Sequence, residues 1–259
     1  MKKLSAKALL VTAASLGFGA SAHSAVYTQN FTFANGTTNL GDGSTLTTAG
    51  GVPASIQNNQ LELTNAANLN TTNSFNIPAL ANSALGFSVS FDITITDTPG
   101  GNPPADGFSF SYGNFASTAA YGEDGPNGNS ISWVVDTWNN NTGDQGVRSR
   151  VNGANDFVQN FVPLTDGQSI TTHIDLSWHP VNGMSLSIAA LGGPVFTNRP
   201  VPAFTGNNAN IFGFGARTGN ATETVLIDNL SITTVPETSS ALLAGIAGLG
   251  LLGIRRRRS

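Results

Sequence analysis

Along most of the middle of this chain apolar residues recur at every second position, and that period admits one kind of structure. Phe87, Val89, Phe91, Ile93 and Ile95 alternate with Ser88, Ser90, Asp92 and Thr94. Successive side chains of a strand point to opposite faces, so the pattern predicts a strand with one face in a core and one toward water. Phe108–Tyr112, Ile174–Trp178 and Leu186–Ile188 repeat it. The same reading places strands at Tyr27–Phe33, Gln60–Thr64, Ile131–Asp136, Val147–Asn152, Ile211–Ala216 and Thr224–Thr233. Glycine and proline clusters fall between them, at Pro99–Pro104, Gly125–Gly128, Pro180–Gly183 and Gly192–Pro194, and mark turns. The central chain has no long stretch with helical spacing. Many short strands with such turns predict an all-β, antiparallel β-sandwich or jelly roll, with a closed barrel as the alternative, and the fixed-period repeat that a β-helix needs is not visible.

The sequence has 259 residues and no cysteine, so neither disulfides nor thiolate metal sites can contribute. A body of roughly 210 residues is large enough to fold on its core alone. All three lysines lie at the N-terminus, and four of the arginines form Arg255, Arg256, Arg257 and Arg258. Between His23 and Thr234 four arginines stand against 14 carboxylates, a net charge of −10. Such a body repels nucleic acid and anionic membrane surfaces, so a nucleic-acid partner is not expected.

Both ends read as addresses. Residues 1–22 begin Met-Lys-Lys, continue with an apolar run and end on Ala20-Ser-Ala22, which predicts a signal helix cut by signal peptidase after Ala22. Residues 235–259 carry Val235-Pro236-Glu237-Thr238, then a glycine-rich apolar helix from Ala241 to Ile254, then the arginines. Fourteen helical residues reach about 21 Å, short of the ~30 Å hydrocarbon core, and the arginines hold the C-terminus on the cytoplasmic side. This order resembles the PEP-CTERM sorting signal, with Thr238 where that signal often has a second proline. The resemblance implies transient insertion in the inner membrane, an exosortase partner, and delivery to the surface or extracellular matrix of a Gram-negative cell.

Between these ends, residues 23–234 form one domain, and Ile131–Asp144 is its most informative stretch. It starts as a buried strand and breaks into a loop with Asp136, Trp138, Asn140 and Asp144. Hard oxygen ligands beside an aromatic ring are the ingredients of a calcium-supported sugar site, and equally of a strand end with an Asn-rich turn. Asp136 could also pair with Arg148 or Arg150 across a hairpin.

Three blocks in order are similar to the L-type (legume-type) lectins of the concanavalin A-like fold. They are Pro104-Ala-Asp-Gly-Phe-Ser-Phe110, Val134-Val-Asp-Thr-Trp-Asn-Asn140, and Phe212–Gly219 leading to Glu223–Ile232. The resemblance implies a carbohydrate site. Asp106 would accept sugar hydroxyls, on a peptide bond after Ala105 that is often cis. Gly107 follows it, Trp138 would pack on the sugar ring, and Asn140 would add a second polar contact. Gly219 and Asn220 would belong to a loop closing one side, and Tyr121–Gly128 is where a glycine backbone donor is expected. One calcium ion would be held by Asp136, the Trp138 carbonyl, Asn140 and Asp144, although the loop before Asp144 is shorter than the family's. Val134 and Gly146 stand where the family has transition-metal ligands, so that second metal site is expected to be absent. Arg148 and Arg150 are not part of the family's pattern.

The expected function is carbohydrate binding at a surface or in an extracellular polysaccharide matrix, without catalysis. One alternative is a structural matrix protein without a defined pocket; the other is a polysaccharide-degrading jelly-roll enzyme. A retaining glycosidase needs two carboxyl groups ~5 Å apart, commonly close together on one strand. Glu62, Glu123 and Glu223 are far apart in sequence. His173 and His179 are read as structural, Gly213-Phe-Gly215 as a packing pattern, and Arg217 as lining the cleft or pairing with Glu223.

Overall fold

The computed structural model describes residues 23–97, 104–139, 145–160 and 167–236. The signal segment, the sorting segment, Asn140 and Asp144 lie outside the described residues. The compact body runs over Ser24–Pro236.

Fifteen strands are described: β1 (Val26–Gln29), β2 (Thr45–Thr48), β3 (Ser55–Gln57), β4 (Gln60–Thr64), β5 (Thr72–Ile77), β6 (Phe87–Thr96), β7 (Gly107–Gly113), β8 (Ser130–Asp136), β9 (Gly146–Val151), β10 (Ala154–Asn160), β11 (Ser169–His179), β12 (Gly183–Ile188), β13 (Gly193–Arg199), β14 (Ile211–Arg217) and β15 (Thr224–Thr234). They form two antiparallel sheets. One has the order β13-β12-β11-β6-β15-β4-β3, with β1 also on β15; the other is β10-β9-β8-β7-β14-β5-β2. The expected all-β sandwich is therefore what the chain forms. Among the described residues the only helical elements are short 3-10 turns at Ser83–Leu85 and Ala189–Leu191.

Alternating apolar positions of the two sheets meet between them. Phe87, Val89, Phe91, Ile93 and Ile95 of β6 are buried and join Phe108, Phe110, Trp133, Val135, Phe212 and Phe214 from the other sheet. Phe91 packs edge-on against Phe214 at 4.9 Å and stacks near Phe110 at 6.4 Å. Phe87 makes edge contacts with Tyr112 at 4.8 Å and Phe212 at 4.9 Å. Such pairs add to burial because ring edges are positive and faces negative.

The other face of the seven-stranded sheet departs from the sequence expectation. The serines of β7 were expected to face water, yet β7 is buried along its whole length, as is β8, which was read as a buried strand. Residues 114–129, between β7 and β8, fold back across that face as a strap. Strand side chains hold it through its carbonyls. Ser74 Oγ donates to Ala119 O (2.6 Å), Asn76 Nδ2 to Ser117 O (2.9 Å), and Ser109 Oγ to Gly122 O (3.0 Å). The polar half of the alternation is thus paired inside the protein, as burial requires.

Other boundaries moved for local reasons. The first strand stops at Gln29, not Phe33, because Phe31 turns with φ +53° and places its ring in the core at 0% exposure. The strand expected to reach Asn152 ends at Val151, and Asn152 takes φ +53° in the turn to β10.

Phe91→Ala should lower unfolding stability by about 3–5 kcal/mol, because three neighbouring rings lose a shared partner and a cavity opens. Val181→Ala, on a residue 80% exposed, should stay within about 0.5 kcal/mol. Urea melts of both variants check this.

Candidate functional site

Three sequence-distant stretches converge at one end of the seven-stranded sheet. Gly107, the first residue of β7, is in register with Asp136 at the end of β8 and with Arg217 at the end of β14. Just before it, the Ala105–Asp106 peptide is cis. The Asp106 N–H donates to Arg217 O (2.8 Å), and Asp106 O accepts from the Thr137 N–H (3.1 Å). Backbone bonds on both sides therefore clamp Asp106 between the neighbouring strand ends.

Gly107 has φ +119°, and a Cβ there would stand 2.0 Å from Val135 O, so backbone packs against backbone and only glycine fits. At Gly219 the limit is softer: a methyl would sit 3.5 Å from Asp106 Oδ2. The loop after β14 thus passes directly beside the Asp106 carboxylate, with Asn220 exposed next to it. Trp138 follows Thr137 and is half-buried. The structure brings Asp106, Gly107, Gly219, Asn220 and the Thr137–Trp138 segment to one place. It places Asp136 two residues before Trp138, whose N–H donates to Asp136 Oδ1 (3.0 Å).

Arginines organise the charge. Arg217 Nε donates to Asp106 Oδ2 (2.8 Å) and its Nη2 to Glu123 Oε1 (2.7 Å). Of the two readings of Arg217, cleft residue or partner of Glu223, the pairing is corrected: the partners are Asp106 and Glu123. Asp106 Oδ1 accepts no hydrogen bond among the described residues. Glu223 is instead sealed at 0% exposure, where Oε2 accepts the Thr137 hydroxyl (2.7 Å). Burial pushes Glu223 up to about 8, against the Thr137 hydrogen bond. Burial also pushes Glu123 up to about 7, against the pull of Arg217, and raises Asp106 in the same way.

Asp136 is paired with Arg148 across the β8–β9 hairpin, with the two side chains 7% and 9% exposed. Asp136 therefore spends one oxygen on a guanidinium and the other on the Trp138 N–H. Among the described residues no group of three or more His, Asp or Glu side chains is arranged to hold a metal ion. A calcium ion needs six to eight oxygen ligands, with carboxylates free to face it. Asp136 as placed here does not fit that role, and the two other expected side-chain ligands, Asn140 and Asp144, lie outside the described residues.

Glu123, Gln145 and Thr137 were missed by sequence reasoning, whereas the Asp136–Arg148 pair is one of the two hairpin pairings it offered. The available signal was scarcity: with four arginines against 14 acids between His23 and Thr234, composition alone points to each arginine as an ion-pair centre. Arg150 pairs with Asp124 at 2.9 Å, and Arg199 pairs with Asp156. His173 lies on the other sheet, with Nδ1 2.7 Å from Asp92 and Nε2 3.4 Å from Asp175.

Glu223 and Glu123 set a pH dependence. Both have folded-state values above the ordinary 4.5, so the folded protein holds protons that the unfolded chain releases. Stability should therefore fall as pH rises from about 4.5 to about 8. Glu223→Gln should flatten that fall and raise the melting temperature at pH 8, as thermal melts from pH 4.5 to 9 would show.

No protein-family model matches the sequence, and no curated protein is similar to it. Solved structures are similar in fold. Winged bean acidic lectin, complexed with methyl-α-D-galactose, matches with TM-score 0.60 at 19% identity, over 83% of this chain and 100% of that one. Peanut lectin matches with TM-score 0.62 at 16% identity, over 84% and 100%. The exoplasmic/lumenal domain of VIP36, in a Ca²⁺- and mannose-bound form, matches with TM-score 0.57 at 13% identity, over 74% and 83%. The body of this chain has the concanavalin A-like jelly roll that the legume lectins share.

Proposed function

We propose that this chain is an exported, non-catalytic glycan-binding protein whose site is the Asp106 end of the seven-stranded sheet. The observation that carries the reading is the Asp106 carboxylate itself. It is clamped by backbone bonds at Arg217 and Thr137, with one oxygen on Arg217 and Oδ1 left for a sugar hydroxyl. Gly219 leaves space beside it, and Trp138 supplies an apolar ring on the neighbouring loop. Few well-placed polar groups beside an aromatic surface are what sugar recognition needs. That the winged bean lectin and VIP36 structures hold a galactoside and mannose supports the class of ligand.

A catalytic role is not favoured by the acids present. Glu223 is fully sealed, and Glu123 is 6% exposed and committed to Arg217. Neither is open to a glycosidic oxygen, and a retaining mechanism needs two such groups. The calcium support expected from the resemblance does not fit Asp136, which is held by Arg148.

A few hydrogen bonds and one ring give weak affinity per site, because ordering costs oppose them. Display of many copies then supplies avidity. Residues 1–22 and 235–259 provide for that display: removal of the first by signal peptidase, and recognition of Val235-Pro236-Glu237 and Arg255–Arg258 by an exosortase. The destination is the cell surface or a polysaccharide matrix.

On a glycan array the exported chain should show saturable binding to a subset of glycans or exopolysaccharides. Asp106→Asn should weaken it by about tenfold or more, since a charged acceptor is lost, and Trp138→Ala similarly, while Val181→Ala leaves it unchanged. A flat array at high ligand concentration would instead favour a structural matrix protein, and release of reducing ends an enzyme. In a Gram-negative host, mass spectrometry of the exported protein should show an N-terminus at His23.

A further inference from the structure

We propose that the Arg148 guanidinium, assisted by Gln145, holds Asp136, Thr137 and Trp138 at the end of β8 in place of a divalent cation, so that Asp136 serves an arginine and not a metal ion. The inference rests on the glycan-binding reading only for the purpose of that segment.

The register explains how Arg148 reaches its partner. Val134 stands opposite Arg148, and Asp136 opposite Gly146. Period two places Val134, Asp136, Arg148 and Arg150 on one face of the hairpin. Val134 contributes no charge and Gly146 no side chain, so Arg148 can lean toward Asp136 diagonally. Its Nη2 donates to Asp136 Oδ2, while Asp136 Oδ1 accepts from the Trp138 N–H at 3.0 Å. Both carboxylate oxygens are therefore occupied by N–H donors. Arg148 Nη1 also lies 3.8 Å from Asp124 Oδ1, which links the hairpin to the strap.

Gln145, just before β9, holds the end of β8 as well. Its Nε2 donates to Thr137 O at 2.6 Å, and it is 9% exposed. Charge in a buried setting is tolerated when paired, and a fixed guanidinium here repels any second cation. The two substitutions belong together: Val134 and Gly146 remove ligands from the hairpin, and Arg148 brings a positive charge built into the chain. A divalent ion would have to displace Arg148 from a buried carboxylate before it could bind.

The test uses metal ions alone as probes, on the full chain first dialysed against EDTA. Thermal melts with added CaCl2 and tryptophan-sensitised Tb³⁺ emission should both show no saturable response at micromolar to millimolar ion. A calcium-dependent rise in the transition or saturable Tb³⁺ emission would overturn the proposal. Hydrogen exchange then reads the role of Arg148. In Arg148→Ala the Trp138 amide should lose protection by about tenfold or more, while amides in β6 keep theirs. Unchanged protection at Trp138 would count against a positioning role. If the alanine variant does not fold, Arg148→Lys takes its place: it keeps the charge but not the planar fork, and should lose part of the protection. No readout involves a glycan, so a chain that fails on the array can still pass here, and the reverse.

Discussion

Ring packing between the two sheets is what the rest of the molecule depends on. Without disulfides, the sheets are held face to face by side chains alone. The aromatic positions of β6, β7, β8 and β14 interlock as edge-to-face and tilted pairs, with Phe91 and Phe87 reaching rings on several strands. Because these residues alternate strictly, the strands that carry them are locked in register. A slip of one residue would move every ring to the other face. The strand ends are fixed by the same register, and so are Asp106, Asp136 and Arg217, each of which sits at or beside such an end.

The second layer of organisation is polar and faces away from that core. The strap over residues 114–129 gives Ser74 and Asn76 of β5, Ser109 of β7 and Ser130 of β8 carbonyl partners, and carries Glu123 and Asp124 to the arginines of β14 and β9. A sheet face that would ordinarily be wet is thereby made into a floor for the site. Arg217 joins the strap to Asp106, so the carboxylate offered to a ligand is positioned by residues from three separate parts of the chain.

Much of this fold was legible because burial imposes a period. β6 reads from Phe87 to Ile95 almost without error, since one face meets the rings of the opposite sheet. β2, β3, β5, β10 and β13 were not read from the sequence. β5 is the clearest case: Thr72–Ile77 is buried on both faces, one by the core and one by the strap, so its asparagines and serines give no alternation of polarity. In the site, short motifs revealed Asp106, Gly107, Trp138 and Gly219 because each stands in a local sequence block. Glu123 and Gln145 carry no local signature. Their roles arise from a contact 94 residues away in one case and from a hydrogen bond to the Thr137 carbonyl in the other, which only the folded chain brings about.

Gly107 draws a line through the site between what can vary and what cannot. Any side chain there would collide with the Val135 carbonyl, and that carbonyl belongs to the strand that anchors the core. The floor under Asp106 is therefore closed to mutation by geometry. Asn220, a few residues past β14, is exposed and carries no such restriction. A lineage of such chains could change its ligand preference by substituting the rim around Asn220, while the carboxylate beneath keeps the same address.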